Sequence, residues 1–134
     1  MYYYLYIHIV QIKTNIYKYS INISMGYFYS FLIYCLAQIL VWFQIYGPLK
    51  IDVIKNNTWA VYSMSIPITY LFTLGTKHIV KLSNGLTWES RFIQFGAGIL
   101  IFAAMSYVFN DEGLSIKTIT SIILITIVII IQII

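Results

Sequence analysis

Charge is what this chain has least of. Eight Lys and Arg and four Asp and Glu make up 9% of its 134 residues, against about 25% in an ordinary soluble domain. Residues 19–49, 56–76, 92–110 and 118–134 contain no Asp, Glu, Lys or Arg at all. A soluble core of this size needs a charged shell that these few charges cannot supply, so a soluble domain is excluded. Cysteine occurs once, at Cys35, which excludes an internal disulfide and any cysteine-based metal site. Within an apolar run that thiol reads as a small buried hydrophobe. The beginning of the chain lacks the basic start, compact apolar centre and small-residue cleavage site of a signal peptide.

What the chain does have is hydrophobic length. Apolar residues make up 60% of it, and its mean hydropathy is positive. Each charge-free run has 17 residues or more, about what an α-helix needs to cross a ~30 Å hydrocarbon layer at a rise of ~1.5 Å per residue. The reading is an all-α, four-span transmembrane helix bundle, with spans at about 26–46, 58–76, 92–110 and 115–134, both termini on one side, and no room for a second domain. Gly47-Pro48 closes span one. Pro67, at the centre of span two, favours a kink. KHIVKL after Thr76 prolongs that helix until Ser83-Asn84-Gly85 breaks it, and Ser115 caps span four. Trp42, Trp59 and Trp88 fall near span ends, where an indole buries its ring and keeps its N–H wet. The net charge of +4 is spread over helix ends, which points to lipid headgroups and away from nucleic acid.

Residues 1–24 read differently, with six Tyr and six Ile among Lys and Asn. Two readings fit them. One is an interfacial segment, Tyr at the headgroups and Ile below. The other, which is preferred, is AT-rich upstream sequence translated in error, with the protein beginning at Met25. At the far end, nine of the last thirteen residues are Ile, so the last helix either ends flush with the interface or is truncated. Counted from Met25, Lys77, Lys81 and Arg91 stand on one side against Lys50, Lys55 and Lys117 on the other, and the positive-inside rule favours neither orientation. Lys13 and Lys18 would favour termini inside.

Two polar stripes carry what chemistry there is. Thr58, Tyr62, Ser65, Thr69, Thr73 and Thr76 recur at spacings that place them on one face of span two. Tyr27, Ser30, Tyr34 and Gln38 form a matching face on span one. Lipid penalises such faces, so both are expected to look toward other helices or a wet cavity. Gln38, Ser65 and Thr69 lie near mid-span, and an amide in hydrocarbon needs partners. Gln38 is therefore expected to meet the Ser65/Thr69 face, with Tyr34, Gln38, Tyr62, Ser65 and Thr69 as candidate solute-binding residues. The bland reading is interhelical hydrogen bonding alone. Gly96, Ala97, Gly98, Ala103 and Ala104 give span three a smooth strip for close helix packing. Arg91 snorkels to headgroups, and Asp111 and Glu112 lie in a solvated turn. His78 lacks a second His at ligand spacing, so no metal is expected. The sequence shows no nucleophile–base pair, carboxylate dyad or dinucleotide fingerprint; neither an enzyme nor a cofactor is expected.

FLIYCLAQIL, residues 31–40, resembles the first helix of the small four-helix proteins of the drug/metabolite transporter superfamily, which includes the small multidrug resistance transporters. Gln38 stands where that family has its essential glutamate. YVFNDEGLSIKTITSIILITIVIIIQII, residues 107–134, is similar to the family's passage into its last helix, with Glu112 and Leu114 matching. Asn84-Gly85, Trp88, Arg91, Phe95 and Gly98 resemble a layout in uncharacterised small membrane proteins of AT-rich marine viruses and bacteria. The resemblance covers about 110 residues through motifs of low specificity. It implies a four-helix fold, transport of a small polar or amphiphilic solute, and a homodimer in the bilayer. Two departures bear on this. Glutamine cannot exchange protons, and span four lacks the glycine heptad through which the family pairs, so that surface is absent or moved to span three. The rival class is a non-catalytic structural or accessory membrane protein, virus-encoded in one version of the reading, whose stripes only hold helices together. A holin-like pore former ranks third.

Overall fold

A computed structural model describes residues 2–110, 113 and 115–133, with side chains at 11–14, 18, 21–109, 113 and 115–132. Every regular element among them is helical. The order is α1 (Tyr2–Ile45), α2 (Gly47–Lys50), α3 (Asp52–Lys55), α4 (Thr58–Ser63), α5 (Ser65–Leu82), α6 (Trp88–Asn110) and α7 (Ile116–Ile133).

Helix α1 runs 44 residues, about 66 Å at the standard rise, and passes through Met25 without a break. It stops just before Gly47-Pro48, where the proline has no N–H to continue the ladder. Two single turns, α2 and α3, flank the extended Ile51. Asn57 then caps α4, its side chain accepting the Ala60 N–H at 3.2 Å. The break between α4 and α5 falls at Met64, one turn before Pro67, because that proline leaves the Ser63 carbonyl without its usual donor.

The end of α5 shows why Ser83-Asn84-Gly85 stops a helix. Asn84 takes φ 53° and Gly85 φ 96°, and the Gly85 N–H reaches back to the Val80 carbonyl at 2.8 Å. That is the Schellman closure, which asparagine and glycine tolerate because both enter the left-handed region. At α7 the Ser115 hydroxyl accepts the Thr118 N–H at 3.1 Å, the expected cap. Asp111, Glu112 and Leu114 lie outside the described residues.

Helix α1 packs against both α5 and α6, α5 and α6 touch each other, and α7 packs chiefly on α6. The core gathers Tyr27, Tyr34, Ile79, Ile93 and Ala97, with Ile23, Phe31, Cys35, Phe72 and Leu82 against it. The small strip of α6 serves two neighbours at once. A Cβ on Gly96 would collide with Ile129 of α7, and one on Gly98 would stand 2.9 Å from the Gln38 amide of α1. At the other end, Trp42 lies in an aromatic cluster with Phe43, Tyr46 and Phe109. Trp59 and Trp88 are exposed, but Trp42 is not. Its ring is buried, and its Nε1 has no hydrogen-bond partner among the described residues. The wet indole expected at this position is corrected by α6, whose Phe109 covers it.

Among the described residues, two helical stretches, Ile21–Ile45 and Trp88–Phe109, are long and apolar enough to cross a membrane. Only 28% of each apolar window is buried, which is not how the core helix of a soluble protein sits. The apolar run of α7, Ile116–Gln132, is shorter, and α5 carries Lys77 and Lys81.

Candidate functional site: a polar groove between α5 and α6

Three residues of the span-one stripe, Tyr27, Ser30 and Tyr34, are buried and bonded. Tyr34 is fully buried and its hydroxyl meets Thr76 Oγ1 at 3.0 Å and Ser90 Oγ at 2.6 Å. Ser90 donates on to Thr76 at 3.3 Å, closing a three-hydroxyl ring that ties α1, α5 and α6 together. Gly75 makes room for the tyrosine, since a Cβ there would lie 2.7 Å from the ring. Ser30 donates to the Gly26 carbonyl at 3.0 Å and lies 2.7 Å from His78 Nδ1. A serine hydroxyl has a single proton, so with it on Gly26 the imidazole is the donor to Ser30. Tyr29 packs on the same imidazole in a T-shaped pair. The Tyr27 hydroxyl donates to Glu89 Oε2.

Opposed residues on α1 and α5 show an antiparallel register. Gly26 meets Leu82, Ser30 meets His78, Tyr34 meets Thr76 and Gln44 meets Ser65. A step up one helix is a step of about the same length down the other. Gln38 is therefore level with the Thr69 turn, but it does not face it. The Gln38 amide points at α6, packing on Gly98 and lining a cavity of about 350 Å³ with Arg91, Gln94 and Phe95. The expected bond to Ser65 is made instead by Gln44, whose Nε2 donates to Ser65 Oγ at 2.6 Å and to the Val61 carbonyl at 3.1 Å. Gln44 is a partner that the stripe pattern does not single out. Its one signal in the sequence is being a second amide six positions along span one, and the register decides between the two.

The span-two stripe looks outward. Tyr62 is 66% exposed, and Ser65, Thr69 and Thr73 are exposed as well; of the two settings expected for this face, other helices or a cavity, Thr76 meets the first and Thr69 and Thr73 line the second. Helix α5 is covered chiefly on one side, and that side carries Ile68, Phe72, Gly75 and Ile79. The five candidate residues therefore do not converge. Tyr34 belongs to the buried ring, Gln38 to the floor of a groove, Thr69 to its rim, and Ser65 and Tyr62 to an outer surface.

The groove itself lies between α5 and α6. A cavity of about 390 Å³ is lined by Thr69, Phe72, Thr73, Thr76, Lys77, Arg91 and Gln94. It adjoins the Gln38 cavity, sharing Arg91 and Gln94 with it. Among the described residues, the side chains of Gln38, Thr69, Thr73, Arg91 and Gln94 make no hydrogen bond. The two cations bring positive charge to the groove from both helices, and among the described residues no acid lines it. Arg91, expected to reach for headgroups, is exposed and lines both cavities. Gln94 is a site residue that no motif marks. Its signal is being the amide nearest Arg91 on a span otherwise poor in polar groups. Among the described residues no group of three or more His, Cys, Asp and Glu could hold a metal ion. No family model, curated protein or solved structure matches this chain.

Proposed function

We propose that the chain is a four-span integral membrane protein that binds, and moves across the bilayer, a small polar or amphiphilic solute held in the groove between α5 and α6. One observation carries the reading: five hydrogen-bonding side chains line one groove and have no partner among the described residues, on a molecule whose helices otherwise present apolar faces. In hydrocarbon such groups are costly unless water or a ligand satisfies them. The four spans are α1 from about residue 21 or 26, α4 with α5, α6, and α7. The likeness to small drug/metabolite transporters supports the same class, and with it a homodimer.

The test is hydration. Thr73→Cys and Gln94→Cys, each in a Cys35→Ala background and reconstituted in liposomes, should react with a membrane-impermeant thiol reagent supplied from one side. Unreactive cysteines at both positions from either side would mean a sealed bundle. The second reading, a structural or accessory membrane protein, is favoured by the fully bonded Tyr34–Thr76–Ser90 ring, which holds three helices together and offers no free group to a solute.

A further inference from the structure

The charge of the groove narrows what it would hold. Lys77 enters from α5 and Arg91 from α6, both lining the cavity whose floor continues to Gln38 and whose wall is Phe72. The remaining polar groups there are threonine hydroxyls and the Gln94 and Gln38 amides, all able to donate. The described acids stand elsewhere: Asp52 is on α3, and Glu89 accepts from Tyr27. A cationic head would face two like charges with no counter-charge among the described residues of the lining. An oxyanion would receive a planar guanidinium fork, an ammonium and several neutral donors, the combination that suits carboxylate and phosphate. Apolar walls continue the site, since Phe72 lines one cavity and Phe95 the other, and Phe95 is itself largely exposed.

We propose that the groove takes an anionic amphiphile, an oxyanion head on an apolar chain, with Arg91 and Lys77 as the head-binding residues. This rests on the solute-binding reading above and gives its ligand class. The head could be that of a membrane phospholipid or of a free single-chain anion; the chemistry recognised is the same.

The experiment uses the full chain purified in neutral micelles. Dodecyl phosphate and dodecyltrimethylammonium, which share a chain and differ in head charge, are titrated while tryptophan fluorescence is followed in the full chain with Trp59→Phe, Trp88 lying one turn before Arg91 and Trp42 being buried away from the groove. The phosphate should bind about tenfold more tightly than the ammonium. Arg91→Gln and Lys77→Gln should each remove most of that preference while leaving helicity and unfolding midpoint unchanged, since both side chains are exposed. Arg91→Lys should keep part of it. Equal binding of the two heads, or a preference that survives Arg91→Gln with Lys77→Gln, overturns the proposal.

Protection of Thr73→Cys from the thiol reagent separates this failure from failure of the groove. If dodecanol or the ammonium protects and the phosphate does not, the groove binds amphiphiles but the anion assignment is wrong. If the cysteine is unreactive with no ligand present, the groove reading falls too, and the anion assignment with it. Competition by phosphatidylglycerol and not by inorganic phosphate assigns the head to the membrane; competition by inorganic phosphate alone assigns it to a soluble oxyanion.

Discussion

Two stretches of this chain present nearly the same polar pattern to opposite ends. Tyr27, Ser30, Tyr34 and Gln38 on α1 and Tyr62, Ser65, Thr69 and Thr73 on α4 and α5 recur at the same spacing, each beginning with a tyrosine and a serine. The first stripe is turned into the molecule, with Ser30 and Tyr34 fully buried. The second is turned out from Tyr62 to Thr73, where among the described residues only Ser65 finds a side-chain partner, in Gln44, and turns inward only at Thr76, which joins the ring of Tyr34 and Ser90. The difference lies in the neighbours. Helix α1 packs against both α5 and α6, and its stripe lies on the side they cover, whereas α5 fills its covered side chiefly with Ile68, Gly75 and Ile79. Periodicity identifies a face but does not say what the face meets.

Substitutions can break this comparison, and the largest effect belongs at Gly75. Gly75→Val puts a branched side chain against a tyrosine ring that has nowhere to move, and should destabilise the protein by about 3 kcal/mol. Titration with sodium dodecyl sulfate, followed by circular dichroism, would measure it. An unchanged midpoint would mean that α5 does not approach α1 as closely as described.

Next comes Tyr34→Phe, which removes one corner of the hydroxyl ring and leaves Thr76 and Ser90 to each other. A loss of about 1–2 kcal/mol is expected in the same titration. Tyr62→Phe on the outer stripe is the matched control and should change nothing measurable. If the two substitutions cost the same, the stripes are not in different environments.

A smaller effect of opposite sign is expected at Ser106. Its hydroxyl is buried and has no partner among the described residues, so Ser106→Ala should leave stability unchanged or raise it by up to about 1 kcal/mol. A clear loss would show that a water or a bound group satisfies that oxygen. The smallest change should come from Thr69→Val, which keeps the shape of an exposed side chain and should shift stability by less than about 0.5 kcal/mol. Its effect should appear in solute binding alone, measured by the fluorescence titration. An effect on stability as large as that of Tyr34→Phe would place Thr69 inside a packed interface, for example between two copies.

Much of the fold is legible in the sequence because the stopping signals are local. Gly47-Pro48, Pro67, Ser83-Asn84-Gly85 and Ser115 act through a missing N–H, a left-handed backbone or a hydroxyl cap, and each depends on only a few neighbouring residues. Depth is legible too, because a short polar connection after span one forces an antiparallel return, and Gln38 does lie level with the Thr69 turn. Direction is not. Gln38 turns to α6 because Gly98 leaves space for an amide there, and nothing in residues 31–40 announces a glycine sixty positions away. The roles of Arg91 and Gln94 are hidden for the same reason: each is ordinary on its own helix and gains meaning only beside Lys77 and Thr73 of another.

The sequence by itself determined that the chain is helical, where most of its helices stop, which residues share a face, and that apolar length dominates. Those properties follow from hydrophobic content, helical period and turn chemistry, all of which act over a few residues. Only the tertiary structure decided which of two equivalent polar faces is buried, which glutamine bonds Ser65, and that two cations from different helices meet over one groove. A helix can turn about its axis without changing any local interaction, and its rotation is set by the neighbours that pack against it.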